Sequence, residues 1–246
     1  MFRVAELMNT KRPPAIMIGV PSPGFWKAKM GVDTLSMALW AAYHGIYIEA
    51  RGAEGAYTEA NRNNIVRAAL DYKHPIDAIM WIDADMRVLP QTLLRLWKYG
   101  RDIVGANYRE REPPYSHLGK FSNERDAKAK GGIHEMDLMP GGMILVRTAV
   151  YRKLSAPWYK LDDDGLRDDY YFCTKAREAG YKVWCDMELT RTVRHRGDND
   201  VWWYGEGEEP VARADPRQPV FDIPSLVGRA GLENGAAFPA PEKVAS

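Results

Sequence analysis

The residues best suited to chemistry begin with Asp83 and Asp85, one residue apart in MWIDADMRV (80–88), where the apolar run 78–82 gives out. In extended backbone, positions i and i+2 project to the same side, so the two carboxylates converge. Oxygen pairs of this kind suit a hard divalent cation, Mg2+ or Mn2+, which keeps positions open for water and phosphate oxygens. The plainer reading is one acid capping a turn and the other solvated. Asp168 and Asp169 stand where a helix should begin. Aspartate is a favoured helix cap, and a helix N-terminus holds it ionised, ready to take a proton from a hydroxyl. One acid can cap while the other works.

Several weaker candidates surround them. His195, in TVRHRGD, is either a further metal ligand or a surface histidine between two arginines. Arg62 and Asn63, early in a helix, suit a phosphate or a base, or simply belong to a charged helix face. Gly141 and Gly142 permit close backbone approach to a ligand, or form a bend. Trp202, Trp203 and Tyr204 offer aromatic faces that stack on sugars or bases.

These residues need a frame to hold them. Strands are expected at 15–20, 46–50, 76–83 and 102–108, separated by helical stretches. The first helix runs through TLSMALWAAYH, capped by Asp33 and stopped at Gly45. The next spans 59–72, with Ile65, Val66, Ala69 and Leu70 on one face, and the third spans 90–99. Alternating strands and helices predict an α/β fold, a mainly parallel sheet flanked by helices. Ligands bind such sheets beyond the carboxyl ends of the strands, which is where Pro21, Asp83, Asp85 and Asn107 fall. Residues 109–132 are polar and read as a long mobile loop. Residues 141–154 read as a strand turning into a helix, 166–186 as a helix then a strand, and MELTRTV (187–193) as a strand. From residue 205 onward Pro, Gly, Ala and Glu dominate, which suggests an irregular C-terminal arm over 205–246 after a single domain over 1–204.

Composition narrows the classes. The chain has 246 residues, 46% of them hydrophobic, enough for a substantial core. Formal net charge is +1, without the basic excess of proteins held on nucleic acid by charge alone. Cys173 and Cys185 form neither a CxxC pair nor a disulfide framework, which suits a reducing compartment. No apolar run reaches the roughly 20 residues that cross a bilayer, and residues 1–14 carry no apolar signal segment. The expectation is a cytoplasmic protein without a transmembrane anchor.

In order along the chain, IGVPSPG, ANRNNIV, MWIDADM, VGANY, MPGGMILVRTAVYRKL, RDDYYFCTKAREAGYKVW and VRHRG together resemble the GT-A glycosyltransferases, in particular the family 2-like branch that uses nucleotide-diphosphate sugars. The resemblance covers roughly residues 14 to 197. It implies a nucleotide-sugar half at about 14–108 and an acceptor half at about 133–204. Asp85 would bind Mn2+ or Mg2+ bridging the donor phosphates, Asp83 would reach the ribose or a metal-bound water, and His195 would be the remaining protein ligand. Asp169 aligns with the general base of inverting members, whose usual pair is Glu-Asp. The chain has Asp168 in the first position, which leaves open which acid acts. Pro21, Arg62 and Asn63 would line the nucleotide pocket, with a UDP-sugar the expected donor. Gly141, Gly142 and Met143 would face the acceptor, with Asn107, Trp202 and Trp203 beside them.

The implied activity is hexosyl or pentosyl transfer to a hydroxyl on a glycan, a small molecule, a protein or a hydroxymethylated DNA base. The first alternative is a sugar-nucleotide nucleotidyltransferase, which should carry a glycine-rich, arginine-containing loop after its first strand. PSPGFWKAKMG has no arginine and few glycines. The second is a non-catalytic nucleotide-sugar-binding protein, against which the retained acids argue.

Overall fold

A computed structural model describes residues 12–24, 27–111, 116–161 and 167–196, together with the backbone of 202–204. The expected arm at 205–246 lies outside the described residues. The first half of the chain runs β1 (Ala15–Ser22), α1 (Ala28–Tyr43), β2 (Tyr47–Glu54), α2 (Thr58–Leu70), β3 (Ala78–Ile82), β4 (Met86–Arg87), α3 (Thr92–Lys98) and β5 (Ile103–Gly105). The second begins with β6 (Lys120–Phe121), α4 (Glu124–Ala127), β7 (Ile133–Leu138), β8 (Met143–Arg147) and α5 (Thr148–Lys153). It continues with α6 (Asp168–Glu178), β9 (Val183–Asp186), α7 (Met187–Thr190), β10 (Arg194–Arg196) and β11 (Trp202–Tyr204).

Eight strands form one sheet in the order β2-β1-β3-β8-β5-β9-β7-β6. The α/β class is as the sequence predicts, but the sheet is mixed rather than mainly parallel. Strands β1, β2 and β3 are parallel, as are β5 and β9, while β8 runs antiparallel between β3 and β5. That reversal matters for the site. The start of β8 meets the end of β3, with Met143 opposite Ile82, so the loop entering β8 lies on the rim that β3 leaves.

The uninterrupted apolar runs of β1 and β3 have a simple cause: both faces of the sheet are covered. Met17, Ile79 and Trp81 pack with α2, α5 and α6 residues such as Ile65, Tyr151 and Phe172. Ile16, Ile18, Met80 and Ile82 pack on the other side with Met30, Met37 and Leu93 of α1 and α3. Period-two alternation of strand side chains therefore feeds two cores from one strand.

Three local expectations are corrected. Asp33 is not the cap of α1, which begins six residues before the expected Thr34, at Ala28, because its apolar face extends back to Met30. Asp33 is instead buried inside the helix and grips Arg87 with both oxygens, at 2.7 and 3.0 Å. The stretch at 109–132 is not a bare loop: it carries β6, β7's pairing partner, and α4, whose cap Asn123 accepts the Asp126 N–H. MELTRTV is not a strand. Asp186 caps Glu188 and Leu189 through its side chain and starts the helical turn α7. The strand follows, as β10.

Candidate active site

The acids stand where β3 ends, and a second, three-stranded sheet folds over them. Strand β4 follows Asp85 directly and pairs antiparallel with β10, setting His195 opposite Met86. The Arg196 N–H donates to the Asp85 carbonyl at 3.1 Å. By this pairing a histidine far along the chain reaches the aspartates, its Nε2 lying 3.3 Å from Asp85 Oδ2. His195 is buried, and its Nδ1 lies 2.7 Å from the Arg109 carbonyl. A carbonyl only accepts, so Nδ1 donates to it, which turns Nε2 toward Asp85 and Arg111.

Arg111, which the sequence offers only as one of several basic residues that could form a surface for DNA, adds a cation here. Its guanidinium contacts Asp85 Oδ2 through Nη2 and donates from Nε to His195 Nε2 at 3.2 Å. Burial alone would raise the Asp85 carboxyl; hydrogen bonding and charge from His195 and Arg111 outweigh it and hold the group below its usual value.

Arg62 lies beneath the acids, not on the wall of a nucleotide pocket. It is 2% exposed, donating from Nη2 to Asp83 at 2.7 Å, from Nε to Asp168 at 3.1 Å and from Nη1 to the Gly141 carbonyl at 3.2 Å. The rings of Trp81 and Tyr159 lie 5.3 and 5.6 Å from its guanidinium carbon. Burial opposes its charge, but Asp83 and Asp168 prevail and keep it protonated. Asn63 is likewise internal: its amide bonds the Glu59 and Tyr159 carbonyls and accepts from the Trp158 and Tyr159 N–H groups. One sequence signal was available. Arg62 shares a helix face with Ile65, Val66 and Ala69, at spacings of three, four and seven.

Asp168 and Asp169 occupy the first turn of α6 and are both buried. Their partners differ. Asp168 is held by Arg62, while Asp169 Oδ2 accepts the Gly141 N–H at 2.8 Å and its Oδ1 is buried with no partner among the described residues. Burial, reinforced by Asp168, pushes the Asp169 carboxyl up to about 6, against the pull of Arg167 and Arg62. Asp83 is raised too, by burial first and then by Asp85 and Asp168, with Arg62 opposing.

Gly141 and Gly142 admit the protein's own side chains. A Cβ on Gly141 would lie 2.9 Å from Arg62 Nη2, and one on Gly142 2.5 Å from Tyr108 Oη and 2.8 Å from Asp83 Oδ2. The Gly142 N–H donates to Tyr108 Oη at 2.8 Å, and the Tyr108 ring packs 4.9 Å from that of His195. Met143 points into the core between β3 and β5, not toward an acceptor. The side chains of Trp202 and Trp203 lie outside the described residues; their backbone pairs with β10.

A cleft of about 300 Å3 opens beside the acids, between the loops that leave β1, β2 and β3; Pro21, Thr58, Asp83, Asp85 and Arg111 line it. Among the described residues no group of three or more His, Cys, Asp or Glu gathers as a metal cage. Asp85 Oδ2 and His195 Nε2, 3.3 Å apart, are an oxygen and a nitrogen that suit neighbouring positions on one divalent cation, and Arg111 contacts both of them here. Asp83 keeps one oxygen on Arg62, which leaves the other for a ligand or a water.

No protein-family model matches the chain, and no curated protein matches it. Among solved structures, the crystal structure of A197 from STIV matches with a TM-score of 0.54 at 14% identity, over 83% of this chain and 100% of that one. The likeness is one of fold. None of the helices described is long and apolar enough to cross a membrane.

Proposed function

We propose that this chain is a glycosyltransferase of GT-A type, moving a sugar from a nucleotide diphosphate to an acceptor hydroxyl with inversion at the anomeric carbon. One observation carries the reading. Two acid pairs far apart in sequence, 83/85 and 168/169, are drawn to the same rim by a single buried guanidinium, which bonds Asp83 at 2.7 Å and Asp168 at 3.1 Å. Beside them lies a cleft at the carboxyl ends of strands, where α/β sheets bind ligands.

In this reading Asp169 is the general base. Its unpartnered oxygen receives the acceptor's proton while the acceptor oxygen bonds the anomeric carbon and the bond to the diphosphate breaks. Asp168, neutralised by Arg62, holds α6 in place. Asp85 and His195 are the residues that would hold Mn2+ or Mg2+, which when bound neutralises charge on the departing diphosphate. Arg111 supplies positive charge at the same place. Pro21 and Thr58 line the cleft where the nucleotide would lie, and UDP is the expected nucleotide.

The test is a thermal-shift panel of UDP-, GDP-, ADP-, CMP- and TDP-linked sugars, with and without Mn2+, run beside Asp85→Ala. A ligand at 100 times its dissociation constant stabilises a fold by about 2.7 kcal/mol. The expected result is a Mn2+-dependent shift with one nucleotide, absent from Asp85→Ala. Silence with every donor would sink the transferase reading.

A further inference from the structure

A second cavity, of about 440 Å3, lies beside the segment that leaves β5, lined by Asn107, His117, Phe121, Ala127, Met187 and Thr190 among others. That volume is within the roughly 300–1,000 Å3 of small-molecule sites. Among the described residues it shares no lining residue with the cleft beside Asp85. Adjacent residues thus serve different places: Tyr108 packs on His195, and Asn107 lines this cavity.

Asn107 is 1% exposed, and its Oδ1 accepts two backbone N–H groups, from Tyr108 at 2.9 Å and Gly119 at 2.8 Å. Those donors fix which end of the amide is oxygen. The other end, Nδ2, meets no acceptor among the described residues.

The neighbouring polar groups are already engaged. Thr190 Oγ1 donates to the Asp186 carbonyl and accepts the Asn107 N–H. Ser122 donates to Asp137, and Glu124 is paired with Lys128. The cavity therefore sets the Asn107 amide and the His117 ring beside the apolar surfaces of Phe121, Ala127 and Met187. A neutral ring with hydroxyls on its edge and C–H bonds on its face satisfies both features. The acids on the elements around the mouth are each paired, Glu124 with Lys128, Asp126 with His134 and Asp137 with Arg177, so charge there sets no preference and the fit rests on size and apolar walls.

We infer that this cavity is a subsite for a neutral sugar ring of a glycan acceptor. Its role as an acceptor subsite rests on the transferase reading; the fit to a single ring comes from the cavity's volume and its apolar walls.

The experiment is a 15N–1H correlation titration of the whole chain with methyl pyranosides, gluco- and manno-oligosaccharides, and a hydroxymethylated DNA duplex. Asn107→Asp assigns the side-chain amide pair by its disappearance. Saturable movement of that pair with a glycoside or oligosaccharide is expected. Ala127→Trp, which fills the cavity from α4, should abolish it and leave the response to a nucleotide-sugar unchanged. Phe121→Leu, a milder change, should weaken binding several-fold. The inference is overturned if no saccharide moves the pair, if the movement survives Ala127→Trp, or if only the duplex moves it. Nucleotide-sugar binding without saccharide binding would remove the subsite alone. Saccharide binding without any nucleotide-sugar response would leave a carbohydrate site and remove the transferase reading.

Discussion

Asp169 has conflicting tasks as a buried carboxyl and as the proposed base. Its proton is held more tightly in the folded protein than in the unfolded chain, at about 6 against an ordinary 3.8. It therefore favours the fold below the lower value and weighs against it as pH rises through the upper one. Asp169→Asn should lose transfer activity by roughly 10^2–10^4-fold, the span of general-base contributions. Relative to the parent, the variant should also gain stability with rising pH, by at most about 3 kcal/mol between acid and neutral conditions. Chemical denaturation at several pH values measures this; a pH-independent difference would mean Asp169 is not titrating as described. The parent's turnover should rise through about pH 6 and then level. At this scale much was legible. Paired acids at a strand end and at a helix start announce themselves by type and spacing. What was not legible was which partner each would find. Arg62 reads as a ligand-binding cation until its place on an apolar helix face is noticed, and Arg111 has no local signal at all because its partners, Asp85 and His195, are distant in sequence.

The elements put these residues together through two devices. One is the glycine pair before β8, which lets Tyr108 and Asp83 approach the backbone on one side and Arg62 and Asp169 on the other. Gly142→Ala should cost about 1–3 kcal/mol, the usual range for overpacking, and should weaken nucleotide-sugar binding by displacing Asp83. Denaturation and a donor titration together check it; unchanged donor affinity would show that Asp83's position is immaterial. The other device is the small sheet β4-β10-β11, which returns His195 to the acids. Sequence periodicity found β1, β3, α2 and α6 because their apolar patterns are long. It misread 187–193 because Asp186's capping is a side-chain choice, and it missed β6 and α4 because two- and four-residue elements carry no period.

Across the whole molecule, Arg62 joins α2, the end of β3, the loop before β8 and the start of α6. Removing it leaves Asp83 and Asp168 facing each other with no counter-charge. Arg62→Met, close in length but uncharged, should destabilise the fold by about 3–5 kcal/mol, as expected when one member of a buried ion network is deleted. Urea denaturation reads this directly, and a loss below 1 kcal/mol, the scale of surface pairs, would mean the network is dispensable. The mixed order of the sheet was beyond sequence reasoning, because nothing local reports that β8 inserts antiparallel between β3 and β5. That order also leaves β7 and β6 at one margin, paired only with each other and with β9. Most of the second cavity's lining, from His117 to Ala127, comes from that margin, while the cleft beside Asp85 takes nothing from it. That margin is nonetheless tied to the acids, since Met136 of β7 is buried in one core with Phe172 and Cys173 of α6, so a change in the hairpin is felt first at the second cavity and then at the helix that carries Asp168 and Asp169.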